Sequence, residues 1–143
     1  QGHGHALPGN ISTSPSPKSP IVYGLQPILA VSDVKKTAYD YRNRMGFHVE
    51  WLYGDPPTHG CVAYGQWTVE GARIQLTQGT VDPSATAALS LYLFVDDQLD
   101  RLYDPCQANG VTIVSHLQSH PWGMREFKVI DLNGYALRFG TPM

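Results

Sequence analysis

The chain reads as an α+β protein made of two successive βαβββ modules, and three features of the sequence predict this. The first is an internal repeat. Adding 64 to the residue number takes Leu29 to Leu93, Val31 to Val95, Asp33 to Asp97, Tyr39 to Tyr103, Asp40 to Asp104 and Gly46 to Gly110, six identities without a gap. The second is a correspondence between the closing segments of each copy, now at 63: Gly71 with Gly134, Ile74 with Leu137, Gln75 with Arg138. A one-residue deletion explains the change of offset, and a period of this length marks a duplicated half-domain, since solenoid repeats are shorter. The third is PWGMREFKVIDLNGYALRFG at residues 121–140, two strand-like runs on either side of Asn133-Gly134. Asn-Gly supplies the positive φ angles that a two-residue hairpin turn needs.

Size and composition bound the rest. With 143 residues the chain is one ordinary domain, and 42% hydrophobic against 15% charged residues fits a globular protein. Each module has about 60 residues, too few to bury much alone, so the two are expected to share one core. A net charge of −2 offers no basic face for nucleic acid. Two cysteines, Cys61 and Cys106, make no disulfide framework and suit a reducing compartment. No apolar run approaches the roughly 20 residues of a membrane helix, so the expected location is cytoplasmic with no membrane partner.

In chain order, residues 1–20 (QGHGHALPGNISTSPSPKSP) carry no periodic apolar pattern and read as a flexible tail, in which His3 and His5 would catch a metal only incidentally. The ordered domain is expected over residues 21–143, with modules at 21–79 and 88–143 joined by residues 80–87. Leu25, Leu29 and Val31 predict a first strand. Ser32 or Asp33 is placed to cap a helix over residues 34–45, where Ala38, Tyr41 and Met45 recur at helical spacing and Gly46 follows. Residues 47–53 alternate as a second strand, 54–59 form a Pro-containing loop, 61–64 begin a third strand and 72–77 make a fourth. The second module repeats the plan, with strands at 111–117, 124–131 and 135–139.

QPILAVSDVKKTAYDYRNRMGF together with PWGMREF and DLNGYALRF, on a duplicated framework over residues 24–140, resembles the vicinal oxygen chelate superfamily and, within it, the bleomycin-resistance-protein branch. The resemblance implies that each module curls its strands into a partial barrel with the ligand inside the curve, and that the protein forms a homodimer with grooves at the interface. Enzymes of this superfamily place four metal ligands, usually His and Glu, on the inward face of the first and last strands of each module. Carried over by motif, those positions are Gln26, Gln75, Ser90 and Arg138 here. Two amides and a hydroxyl are poor donors for a divalent catalytic metal. A guanidinium ~4 Å from a doubly charged ion is repelled by roughly 8 kcal/mol at an effective dielectric near 20. The reading therefore expects no metal and no cofactor.

Other chemistry is scarce. His116 and His120 would lie about 13 Å apart along a strand, too far for one ion. His48 and His59 have no evident partner. No nucleophile elbow or phosphate-binding glycine loop is present, Cys61 and Cys106 read as buried thiols, and Asp96-Asp97 reads as a helix cap. Aromatic residues are the remaining signal: three Trp, eight Tyr and four Phe, with Trp51, Tyr53, Tyr64, Trp67, Tyr92, Phe94 and Trp122 in or beside strands. If Leu91, Leu93 and Val95 pack under the helices, Ser90, Tyr92 and Phe94 face the cavity, as do Gln26, Ile28, Ala30, Arg73, Gln75, Thr77, Ala136 and Arg138. Trp51 and Tyr64 fit the core as readily as the cavity.

The expected ligand-binding set is thus Gln26, Trp51, Tyr53, Gln75, Ser90, Tyr92, Phe94, Trp122 and Arg138. It suits a flat or amphipathic organic molecule, and the inward Arg138 favours one with a carboxylate or phosphate. Sequestration of a drug-like ligand is the functional expectation. The alternative is a glyoxalase- or dioxygenase-type enzyme with an off-pattern metal site, which requires His116, Glu126 or another donor to turn inward. A scaffold whose cavity is filled by side chains is the third possibility.

Overall fold

A computed structural model describes residues 19–65 and 71–143. The first module runs β1 (Ile28–Val31), α1 (Val34–Met45), β2 (His48–Gly54), β3 (Pro57–Tyr64) and β4 (Ala72–Gln78). After a short helix α2 (Pro83–Ala88), the second runs β5 (Ser90–Phe94), α3 (Asp100–Ala108), β6 (Thr112–Ser119), β7 (Met124–Ile130) and β8 (Ala136–Pro142). Each module is a four-stranded mixed sheet, ordered β1-β4-β3-β2 and β5-β8-β7-β6. In each the first strand lies parallel to the last, and the remaining pairs are antiparallel.

Local sequence accounts for the elements. The Asp33 carboxylate accepts the Lys36 N–H at 2.9 Å and starts α1, whose residues Val34, Ala38, Tyr41 and Met45 are buried against the sheet. Strand alternation then sorts the two faces. Leu29, Val31, Ile74, Leu76, Phe127, Val129, Leu137 and Phe139 point to the helices, and one apolar cluster takes in residues of both modules. Burying a side chain of this size contributes about 1.5–3 kcal/mol. Tyr41 meets Phe47 edge-on at 5.2 Å and Phe127 stacks on Phe139 at 5.0 Å.

The modules are also tied by polar contacts across 90 to 105 residues of chain. Tyr41, on α1, donates its hydroxyl to Asp131 Oδ2 at 2.5 Å, and Asp131 Oδ1 accepts the N–H groups of Asn133 and Tyr135, each at 2.9 Å. The Tyr135 hydroxyl donates to the Ala30 carbonyl, and Asn133 Nδ2 to Thr37 Oγ1. Burial pushes the Asp131 carboxyl up, and its donors only partly offset this.

Four expectations are corrected. Asn133-Gly134 is not a two-residue turn. Asp131 and Tyr135 close a three-residue loop, with the Asp131 N–H donating to Tyr135 O, and only Gly134 has positive φ, at 96°. That changes the register by one residue: Arg138 stands opposite Lys128, where a two-residue turn would put it opposite Val129 on the other face. The loop expected at 54–59 is shorter, because β3 already begins at Pro57. The linker expected at 80–87 holds α2, started by the Asp82 carboxylate accepting the Ser84 N–H. The first strand begins at Ile28, and Leu25 is exposed ahead of it. Of the expected tail, residues 1–18 lie outside the described residues, as does Trp67. Among the described residues no helix is long and apolar enough to cross a membrane.

The tie between modules has a measurable weight. Tyr41→Phe removes the hydroxyl from a buried carboxylate and leaves Asp131 Oδ2 without that donor, a loss of about 1–3 kcal/mol. Urea denaturation is expected to show a lower midpoint with an unchanged slope; an unchanged midpoint means the tie carries no stability.

Candidate functional site

The sheet faces turned away from the helices carry the polar and exposed aromatic side chains. On the second sheet one register row runs Tyr92, Arg138, Lys128, Ser115 across β5, β8, β7 and β6, and the next runs Phe94, Gly140, Glu126, Gln118. Glu126 organises this wall. It is 4% exposed, yet its Oε2 accepts the Tyr92 hydroxyl at 2.5 Å and its Oε1 lies 3.4 Å from Arg138 Nη1 and 3.9 Å from His120 Nε2. A buried carboxylate without partners is expensive, so this set of donors is what allows Glu126 to sit there.

Tyr92 reaches Glu126 by crossing Gly140. A Cβ at that position would fall 2.0 Å from the Tyr92 hydroxyl, so only glycine permits the contact. Burial, followed by the Glu126 hydrogen bond and charge, pushes the Tyr92 phenol up to about 12, with Arg138 opposing. Beside this network Trp122 stacks on His120 at 4.2 Å and 11°, and is 61% exposed.

The first sheet has its own polar group. Arg73 Nε lies 3.0 and 2.9 Å from the two Glu50 oxygens, Glu50 standing at a bulge between Val49 and Trp51. The Cys61 thiol approaches Glu50 at 3.8 Å and is pushed up to about 11, first by burial and then by the Glu50 charge, so it is unreactive. Gln75 Nε2 donates to Gln26 Oε1 at 3.0 Å, and Trp51 shares a row with Cys61 and Gln75. Tyr53 follows two residues later beside His59, with ring centres 6.3 Å apart.

Hollows open among the described residues, and two of them are lined by residues of both β4 and β5. One, about 640 Å³, is lined among others by Ala72, Tyr64, Tyr92, Phe94 and Phe139; the other, about 280 Å³, runs between Leu25, Arg73, Leu91 and Tyr92. The third, about 90 Å³, lies among Ser115, His120, Trp122, Glu126, Lys128 and Arg138. The expected residues therefore fall into two groups on separate sheets. Tyr92, Phe94, Trp122 and Arg138 line these hollows, and Ser90 begins β5 opposite Ala136; Trp51, Tyr53 and Gln75 stand on the first sheet, Gln26 lies just ahead of β1, and these four line none of the three.

A family profile described as the Glyoxalase/Bleomycin resistance protein/Dioxygenase superfamily matches residues 22–139. The chain belongs to that superfamily. Among solved structures it is similar to TioX from Micromonospora sp. ML1 (20% identity, 83% of this chain and 98% of that one, TM-score 0.68). It is similar also to a glyoxalase-related enzyme from Clostridium phytofermentans (20%, 88% and 99%, 0.69). A third is a bleomycin resistance determinant encoded on the transposon Tn5 (21%, 83% and 97%, 0.64). At these identities the likeness establishes the fold. No curated protein sequence matches significantly.

The superfamily's enzymatic members imply a metal, and the donors here do not fit one. The carried-over positions hold two amides joined to each other, a hydroxyl, and a guanidinium paired with Glu126. Among the described residues no three His, Cys, Asp or Glu side chains cluster as ligands. Of the donors the enzymatic alternative required, His116 turns to the helix layer, where its Nδ1 lies 2.6 Å from the Tyr103 hydroxyl. Glu126 does turn inward, but its oxygens are occupied. Asp96 is not a helix cap: it accepts the Gln98 N–H, and α3 begins later, after Leu99. Sequence reasoning missed the burial of Glu126 and the Glu50–Arg73 pair. Glu126 alternates with Lys128 ahead of the hairpin, which points to a pair across it, but the partner and the burial depend on register, and Glu50 and Arg73 stand two strands apart.

Replacing Gly140 by Ala is expected to push the Tyr92 ring aside while keeping the fold. Its phenol then returns from about 12 toward the ordinary 10.0, read as a difference in ultraviolet phenolate titration between the two proteins. An unchanged titration means the Tyr92–Glu126 bond is not what holds the wall.

Proposed function

We propose that this chain binds an aromatic or amphipathic small molecule and holds it without transforming it, in the manner of a sequestering resistance protein. The observation that carries the reading is Glu126. It is the acid on the aromatic wall, and its oxygens are committed to Tyr92 and Arg138, so this carboxylate is not available as a free base or as a ligand for an ion. What remains available on that wall is a surface for contact, with Phe94 79% exposed and Trp122 61% exposed. Flat rings stacked on such side chains gain about 0.5–1.5 kcal/mol beyond the area they bury. A bleomycin resistance determinant of the same fold supports the reading.

A second copy completes the site in this proposal. Ile28 on β1 and Trp51 and Tyr53 on β2 are exposed to 62%, 42% and 69%, apolar side chains that a second copy would cover. A homodimer that lays the first sheet of one copy over the second sheet of the other covers them and joins Gln26, Trp51, Tyr53 and Gln75 with Ser90, Tyr92, Phe94, Trp122 and Arg138. No nucleic acid, membrane or cofactor enters this reading.

Calorimetric titration against a panel of aromatic drugs is the test, with sedimentation under the same conditions expected to give the mass of two chains. At least one compound is expected to bind with micromolar affinity or better and to quench Trp fluorescence. Trp122→Ala should weaken that binding about tenfold or more, the weight of one buried aromatic anchor. A panel that yields no binder defeats the proposal.

A further inference from the structure

We infer that the ligand carries an anionic oxygen group, a carboxylate, sulfonate or phosphate, and that Lys128 is the cation that receives it. The inference rests on the binding reading above and specifies the ligand class. The charges on the second wall do not cancel. Arg138 is matched by Glu126, at 3.4 Å. Lys128 stands directly across from Arg138 on the same face and is half-buried, and its ammonium forms no ion pair or hydrogen bond among the described residues. His120, 3.9 Å from Glu126, adds further positive charge when protonated. The hollow these groups line therefore holds one cation more than its acid can balance.

Its size points the same way. About 90 Å³ is too small for a drug-sized molecule, which occupies some 300–1,000 Å³, but ample for a single carboxylate or phosphate. The hollow opens beside the exposed Trp122 ring, held flat against His120. An anionic head in the hollow thus leaves its aromatic body lying over Trp122. Ser115, next to Lys128 in the same row, offers a hydroxyl donor to the head. The anion handle is accordingly Lys128, with Arg138 alongside already holding Glu126.

Three probes of one shape and different charge separate this inference from the general one: naphthoate, naphthamide and naphthylmethylammonium, titrated against the intact protein by Trp fluorescence. Naphthoate is expected to bind about tenfold or more tightly than either of the others, as one charge-assisted hydrogen bond allows, and to weaken as salt is added. Lys128→Gln should remove that advantage and leave naphthamide unchanged; Arg138 is the poorer choice, because its loss strands Glu126. Equal affinity for the three probes, or a Lys128→Gln variant that weakens the amide as much as the acid, overturns this inference and leaves the binding proposal standing. Failure of all three to bind overturns this inference, while the binding proposal stands or falls on the drug panel.

Discussion

The wall of the second module depends on how one buried carboxylate is satisfied. Glu126 sits almost wholly out of water, an arrangement that is costly unless charge and hydrogen bonds meet it there. Arg138 brings the charge, Tyr92 brings the hydrogen bond, and Gly140 leaves room for the tyrosine to pass. The functional consequence follows from the occupancy. At the position that the family resemblance assigns to a metal ligand, this chain has Arg138, which pairs with Glu126. The wall is shaped, charged and aromatic, and the Glu126 oxygens on it are already engaged.

That wall is only as fixed as the hairpin behind it. The loop after β7 is locked by Asp131, which gathers two backbone donors of its own loop and the Tyr41 hydroxyl from the other module's helix. Tyr135 and Asn133 add contacts to β1 and α1. Thus the element that sets the register of Arg138 against Lys128 and Glu126 is the same element that joins the two modules. Core packing and site geometry are parts of one constraint.

Much of this was legible in the sequence because its signals are local or periodic. The repeat offset gave the two modules, the spacing of Ala38, Tyr41 and Met45 gave α1, and strand alternation put Tyr92, Phe94 and Arg138 on the face opposite Leu91, Leu93 and Leu137. What was not legible depends on pairing. Asn133-Gly134 reads as a two-residue turn, yet Asp131 accepts two backbone N–H groups and widens the loop by one residue, a preference no dipeptide rule contains. Since one residue of slip reverses a strand's faces, the partnership of Glu126 with Arg138 cannot be read from spacing alone. The short α2 was hidden because six residues with a proline at the start carry too little periodicity to announce a helix.

In the function proposed above, a satisfied ion pair on the second wall stands in place of a metal centre. This is tested most directly by elemental analysis of the purified protein with His3 and His5 changed to alanine, so that the leading segment cannot contribute, after exposure to zinc, manganese, nickel and iron and removal of excess ion. No metal at stoichiometric level is the result predicted. One tightly held transition metal per chain, lost when Glu126 is replaced by Gln, would contradict it.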